Sequence, residues 1–218
     1  MPLRLPTEER QAGIVAAALH LARESSPALI TSGDIAAQIG VTQGALFKHF
    51  PTKDAIWLAA MRWAREELLA RLQSAATSAA PPPTQALAAM FRAHVEFIIA
   101  HPGVPRLIFH ELQQPADSPT KREVRALLQG YRRLLLDTLA QASEQRLLGP
   151  GVDAEAAATG FIGLVQGLLM QSMLSGRVAA MRAQAERVQV DEDTGALTYN
   201  PDFLARLASM TGGNFVKR

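Results

Sequence analysis

Residues able to do chemistry are few in this chain, and their spacing argues against catalysis. His94, His101 and His110, with Glu111 beside the last, are the metal-ligand types at hand. His94 and His101 would share a helical face only if one helix ran through 101, and Pro102 interrupts it. A histidine acting as a polar group within an apolar ligand pocket, or a capped one, fits better than a ligand of zinc. Cysteine is absent, which excludes thiol catalysis, iron–sulfur clusters, thiolate metal sites and disulfides. The chain has no Gly-x-Ser-x-Gly, no phosphate-binding glycine loop and no His-Glu-x-x-His. Glu8-Glu9 and Glu66-Glu67 fall on polar helical faces, and Lys121-Arg122 and Arg132-Arg133 suit an anionic ligand or a solvated face equally. The expectation is no enzyme, no metal and no cofactor.

The elements that must position these residues read as helices almost throughout. Thr7 followed by Glu8 and Glu9 is a helix start, with carboxylates at the positive end of the dipole. Ile14, Ala17, Ala18 and Leu21 then form one apolar stripe, and Ser25-Ser26-Pro27 ends the helix. Thr31 with Asp34 makes an N-terminal capping pattern ahead of Ile35, Ala36 and Ile39, and Gly40 suits a left-handed turn. Thr42 caps a second short helix through His49; Phe50-Pro51 breaks the chain, and Thr52 caps a third helix from Lys53 toward Ala80. Two short helices joined across Gly-Val make a helix-turn-helix, with Ile35, Ile39, Leu46 and Phe50 as its core.

Pro81-Pro82-Pro83 separates this region from longer apolar helices expected near 84–100, 103–113, 119–148 and 153–175. The last is apolar around most of its circumference, so it must be buried. In a chain this small, burial between two subunits achieves that, and Gly160, Gly163 and Gly167 would let another helix approach closely. From about 188 the tail changes character: Asp191-Glu192-Asp193-Thr194-Gly195 is a turn signal able to close a small hairpin, and Ala208–Gly213 partly resembles a vector-encoded tag.

The 218 residues are 48% apolar and 19% charged, too apolar for disorder. Apolar stretches are broken by Gln, Gly, His or Arg before the roughly 20 residues of a membrane span, and the N-terminus turns charged where a signal peptide would stay apolar. A soluble intracellular protein, with no membrane partner, is the expectation. Net charge is only +2. Residues 1–54 balance Arg4, Arg10, Arg23, Lys48 and Lys53 against Glu8, Glu9, Glu24, Asp34 and Asp54, so the basic footprint of a nucleic-acid binder is missing from composition.

Residues 7–60 nevertheless resemble the DNA-binding domain of the TetR/AcrR family of transcriptional regulators. The stretch Thr31-Ser-Gly-Asp-Ile-Ala-Ala-Gln-Ile-Gly-Val-Thr-Gln-Gly-Ala-Leu-Phe-Lys-His-Phe-Pro-Thr-Lys-Asp-Ala55 carries the likeness, with Asp-Ile-Ala, Gly-Val-Thr and Phe-Lys-His-Phe-Pro-x-Lys at the family's spacings. It implies an all-α fold: a helix-turn-helix domain over 1–54, and a helical ligand-binding and dimerisation domain over 55–218. The helix opening at Thr42 would enter the major groove. Gln43 would meet a base edge, Gly44 and Ala45 would allow close approach, and Lys48 and His49 would reach phosphates. Thr31 and Ser32 would contact phosphate from the preceding helix, with Gly33 beside them, and Lys53 would bind an anion at a helix N-terminus. Phe47 replaces the usual tyrosine, Gly33 a frequent Arg or Lys, and Ser26-Pro27 a Gly-aromatic pair.

The resemblance further implies a cytoplasmic homodimeric repressor of a pseudo-palindromic double-stranded operator, released by a small apolar effector. Candidate pocket residues are Phe91, His94, Phe97, Ile98, Leu107, His110, Leu128, Tyr131 and Phe161. Helices near 119–148 and 153–175 would form the subunit interface. The rival reading is a helical small-molecule-binding protein that has lost specific DNA binding. An all-α enzyme is the weaker rival.

Overall fold

The computed structural model describes residues 7–79, 82–148 and 151–186, together with the backbone of 188–190 and 197–199. The chain is all-α, as its alanine- and leucine-rich periodicity requires. Its helices are α1 (Thr7–Leu21), α2 (Ser32–Gln38), α3 (Gln43–Phe47), α4 (Lys53–Ser78), α5 (Pro83–Ala100), α6 (Gly103–Gln113), α7 (Pro119–Glu144), α8 (Ala154–Leu174) and α9 (Met181–Ala185). Two three-residue strands, β1 (Val188–Val190) and β2 (Leu197–Tyr199), pair antiparallel with Val188 opposite Tyr199. They flank the acidic turn signal; its residues, Gly149-Pro150, Pro81 and Ala208–Gly213 lie outside the described residues.

Two compact units divide the chain: Met1–Ala70 with Ala100–Gly130, and Arg71–Ile99 with Tyr131–Arg218. In the first, Ile14, Ala18, Ile35, Leu46, Ile56 and Met61 are fully buried. Phe50 is buried and Ile39 only half-buried. The buried stripe of α1 passes through Val15 and Leu19 and continues to Ala22 just past its end, while Leu21 is half-buried. Gly103, the first residue of α6, is held against α1: a Cβ there would stand 2.1 Å from the Leu19 carbonyl oxygen. Only glycine permits that approach. Near the end of α6, the buried Glu111 carboxylate accepts the Ser118 hydroxyl at 2.6 Å, and Lys121 donates to the Gln114 carbonyl at 2.6 Å. This loop-closing role occupies the acid that stood beside His110. Arg122 pairs with Asp117, and Arg62 and Arg65 pair with Glu123.

The core of the second unit includes Leu72, Met90, Phe97, Tyr131, Leu135 and Met181. Asp153 caps α8 by accepting from the Glu155 and Ala156 amides. Arg132 bonds Thr159 and pairs with Glu155, which ties α7 to α8 and occupies one of the arginines that could have met an anionic ligand. One sequence expectation is corrected here. α8, in which an 18-residue window has a mean hydropathy of 1.4, is long and apolar enough by length and composition to cross a membrane. Its one charged residue, Glu155, stands in the first turn, and from Ala156 to Leu174 the interruptions are Thr, Gly, Gln and Ser, none of them charged. One face, Ala158, Phe161, Val165, Leu168 and Leu169, is buried, whereas Gly160, Gly163, Gly167, Met170 and Leu174 are exposed.

Candidate nucleic-acid interface

Local capping chemistry builds the reading head. Asp34 accepts the Thr31 backbone N–H at 2.8 Å and the Thr31 hydroxyl at 2.7 Å, and the Asp34 N–H donates back to Thr31 Oγ1 at 3.1 Å. Those bonds to Thr31 hold the Asp34 carboxyl below the ordinary aspartate range, so it stays charged and keeps the cap closed. Gly40 turns the chain at φ +67°, a region side chains avoid. Thr42 then caps α3 by accepting from the Ala45 N–H at 3.2 Å. Helix α4 begins in the same way, with the Thr52 hydroxyl accepting from the Ala55 N–H at 3.1 Å.

This arrangement leaves Thr31, Gly33, Thr42, Gln43, Gly44, Phe47 and Lys48 exposed, with Ser32, Ala45, His49 and Lys53 half-buried. A Cβ at Gly44 would meet nothing within 4 Å, so bare backbone is presented at the start of α3. Gln43 Nε2 donates to Ser32 Oγ at 2.5 Å, joining α3 to α2 through exposed polar groups. Phe47 is 41% exposed, an aromatic face on the open side of α3.

Sequence reasoning missed several of these links. The Thr31 hydroxyl hydrogen is engaged by Asp34 rather than free for a phosphate, as the Thr-x-x-Asp spacing could have signalled. The Lys53 ammonium donates to the Ile30 carbonyl at 2.9 Å and to that of Ala28 at 3.4 Å, bracing the loop that leads into α2. Gln11 on α1 donates to the His49 carbonyl at 3.2 Å, fixing the far end of the α3 segment. No sequence signal marks either link, since both join segments distant in the chain.

Of the candidate pocket residues, Phe91, His94, Phe97, Ile98, Tyr131 and Phe161 belong to the second unit, and Leu107, His110 and Leu128 to the first. Leu107 is fully buried, His110 half-buried and Leu128 37% exposed. Within the second unit four candidates are in contact. Phe91 and Phe161 meet edge to face at 5.9 Å, Tyr131 and Phe161 at 6.2 Å, and the His94 and Tyr131 rings at 5.1 Å. His94 Nδ1 lies 3.1 Å from the Tyr131 hydroxyl. Burial pushes the His94 pKa down to about 4 and the Tyr131 pKa up, so both are neutral near pH 7. Phe97 lies under the Arg71 guanidinium, 5.6 Å from its ring centroid. His101 belongs to the other unit, edge-on to Trp63 at 5.0 Å. Among the described residues, no three His, Asp or Glu side chains are grouped to hold a metal ion.

Two family models match the sequence. Residues 14–60 fit the bacterial regulatory proteins of the tetR family, and residues 113–188 fit the tetracyclin repressor-like C-terminal domain, between them more than half of the chain. The chain belongs to the TetR family. It is 27% identical over 177 residues to the HTH-type transcriptional regulator BetI of Rhizobium meliloti (strain 1021), covering 80% of this chain and 83% of BetI. Two solved structures share the fold. The MbdR regulator from Azoarcus sp. CIB has a TM-score of 0.70 at 17% identity, covering 83% of this chain and 96% of its own. The regulator FadR from Bacillus subtilis, solved with stearoyl-CoA, has a TM-score of 0.67 at 18% identity, covering 80% and 95%. The capped α2–turn–α3 unit is thus the helix-turn-helix of a TetR-family DNA-binding regulator.

Proposed function

We propose that this TetR-family protein is a homodimeric repressor that leaves a pseudo-palindromic operator when a small apolar effector binds. The observation that carries this reading is the exposed α3 face, where the Gln43 amide is fixed to Ser32 beside a bare Gly44 backbone. An amide held in one orientation can pair with a base edge without first losing rotamer entropy. Residues 1–54 act as the reading head and 55–218 as the sensing and dimerisation domain. Lys48, His49 and the remaining Lys53 donor contact phosphates. Thr31 does so through the chain it caps, and Ser32 orients Gln43. Phe47 packs on sugars or a thymine methyl. The protein works in the cytoplasm, where its DNA is, and performs no turnover of its own.

The effector site lies among Phe91, His94, Tyr131 and Phe161, where apolar rings surround one neutral His–Tyr pair. That combination suits a mostly apolar molecule with a single polar group. The FadR neighbour, solved with stearoyl-CoA, supports a ligand with a long apolar part. Dimerisation uses α7 and the exposed stripe of α8. Effector binding stabilises a spacing of the two reading heads that no longer matches the operator, so operator DNA weakens effector binding by the same factor.

The test is binding of the purified protein to the DNA flanking its own gene, at two salt concentrations, against random duplex. Preference for the flanking DNA with a shallow salt slope is the expected result. Equal binding to both duplexes overturns the regulator reading and favours a sensor without an operator. The zero charge sum of residues 1–54 and the engagement of Lys53 by carbonyls are what give that second reading weight.

A further inference from the structure

A cavity lies within the reading-head unit, and none of its lining residues belongs to the aromatic cluster. It is a groove of about 560 Å³ whose lining includes Val15 on α1, Trp63 on α4 and Phe50 between α3 and α4. That volume falls within the range of small-ligand sites. Its polar groups are Gln11, His20, Arg23 and His101, and no Asp or Glu lines it. Among the described residues, neither the Arg23 nor the His20 side chain has a hydrogen bond or ion pair. An apolar slot rimmed by an unpaired guanidinium, with no acid to neutralise it, matches a molecule with an apolar body and one negative head.

We propose that this groove is a second ligand site that takes an amphipathic monoanion, such as a medium-chain carboxylate. The chain lies against Val15, Phe50 and Trp63, and the carboxylate meets Arg23. The occupant would reach α3 indirectly, because it touches Phe50, three residues past the end of α3, and Gln11, which holds the His49 carbonyl. This last step, and only this step, rests on the DNA-binding reading above.

The chain has two tryptophans, so a Trp57→Phe protein leaves Trp63 as the sole reporter in the groove. Titration with decanoate should change Trp63 emission saturably, and decanol should bind more weakly. Arg23→Gln should weaken decanoate about tenfold, the loss expected for one charge-assisted hydrogen bond. Ala16→Leu, at an exposed α1 position lining the groove, should abolish the response by filling the space. His94→Gln, in the other unit, should leave it unchanged. Circular dichroism of each variant confirms that it is folded. Decanoate binding indifferent to both Arg23→Gln and Ala16→Leu overturns the site, as does equal binding of decanol. The regulatory step is read separately, as duplex affinity with and without saturating decanoate. Unchanged affinity overturns that step alone, whereas absence of specific duplex binding in the ligand-free protein is a failure of the regulator reading.

Discussion

At the scale of single residues, the reading head works by committing most of its polar groups before any partner arrives. The Gln43–Ser32 bond is the clearest case, and it separates specificity from affinity. Gln43→Ala should relax discrimination at one operator base pair by about 1–3 kcal/mol while leaving random-duplex binding unchanged. Ser32→Ala should relax the same position less, because the amide remains but is no longer held. A panel of single-base operator variants measured by fluorescence anisotropy checks both; uniform loss across the panel would remove Gln43 as a base reader. Lys53 behaves differently. Lys53→Ala leaves the Ala28 and Ile30 carbonyls without their donor, so it should lower affinity for every duplex alike and also lower the melting temperature. Spacing in the sequence marked Gln43 and Lys53 as candidates. It could not reveal their intramolecular partners, 11 and up to 25 residues away.

At the scale of elements, most of what local chemistry controls was legible. The Thr31–Asp34 box, the Thr42 cap and the left-handed Gly40 all act over three or four residues, so residue type and spacing determine them. Which helices place their side chains together is a tertiary matter. Periodicity put nine residues in one pocket list, yet Leu107, His110 and Leu128 belong to a different unit from the rings of Phe91, Tyr131 and Phe161. The α5–α7 pairing of His94 with Tyr131 sets a pH dependence whose sign is fixed. Folding lowers the His94 pKa from 6.5 to about 4, so the unfolded chain binds the extra proton between those values. Its contribution is therefore complete above pH 6.5 and lost as pH falls toward 4. At 1.36 kcal/mol per unit the loss is at most about 3 kcal/mol. Urea denaturation of the native protein from pH 7.5 to 4.5 should show this slope, and His94→Gln should flatten it. Parallel slopes in the two proteins would mean that His94 is not desolvated.

At the scale of the whole molecule, α8 presents a seam that the described residues leave exposed. Gly160, Gly163, Gly167, Met170 and Leu174 recur at intervals of three and four, the repeat of a helix packed against another helix. Small residues occupy one end of the seam and large apolar ones the other, and Leu174 is 82% exposed. Leaving such a stripe in water is unfavourable, and pairing it with a second copy removes it. Apolar residues on both faces, one buried and one exposed, give α8 the length and hydropathy of a membrane span. Gly163→Arg tests the seam with little risk to the subunit fold. Nothing lies within 4 Å of a Cβ at this position, and replacing a mid-helix glycine gains about 0.7–1 kcal/mol of helix propensity. The variant subunit should therefore be at least as helical as the parent by circular dichroism. Bringing two arginines into one seam opposes like charges where close packing is needed, so sedimentation should show the variant as a monomer. A monomer engages one half-site at a time and loses the effective concentration that links the two reading heads. Operator affinity should accordingly fall by two orders of magnitude or more, toward the affinity of a single half-site. A variant that remains dimeric would place the subunit contact elsewhere on the molecule.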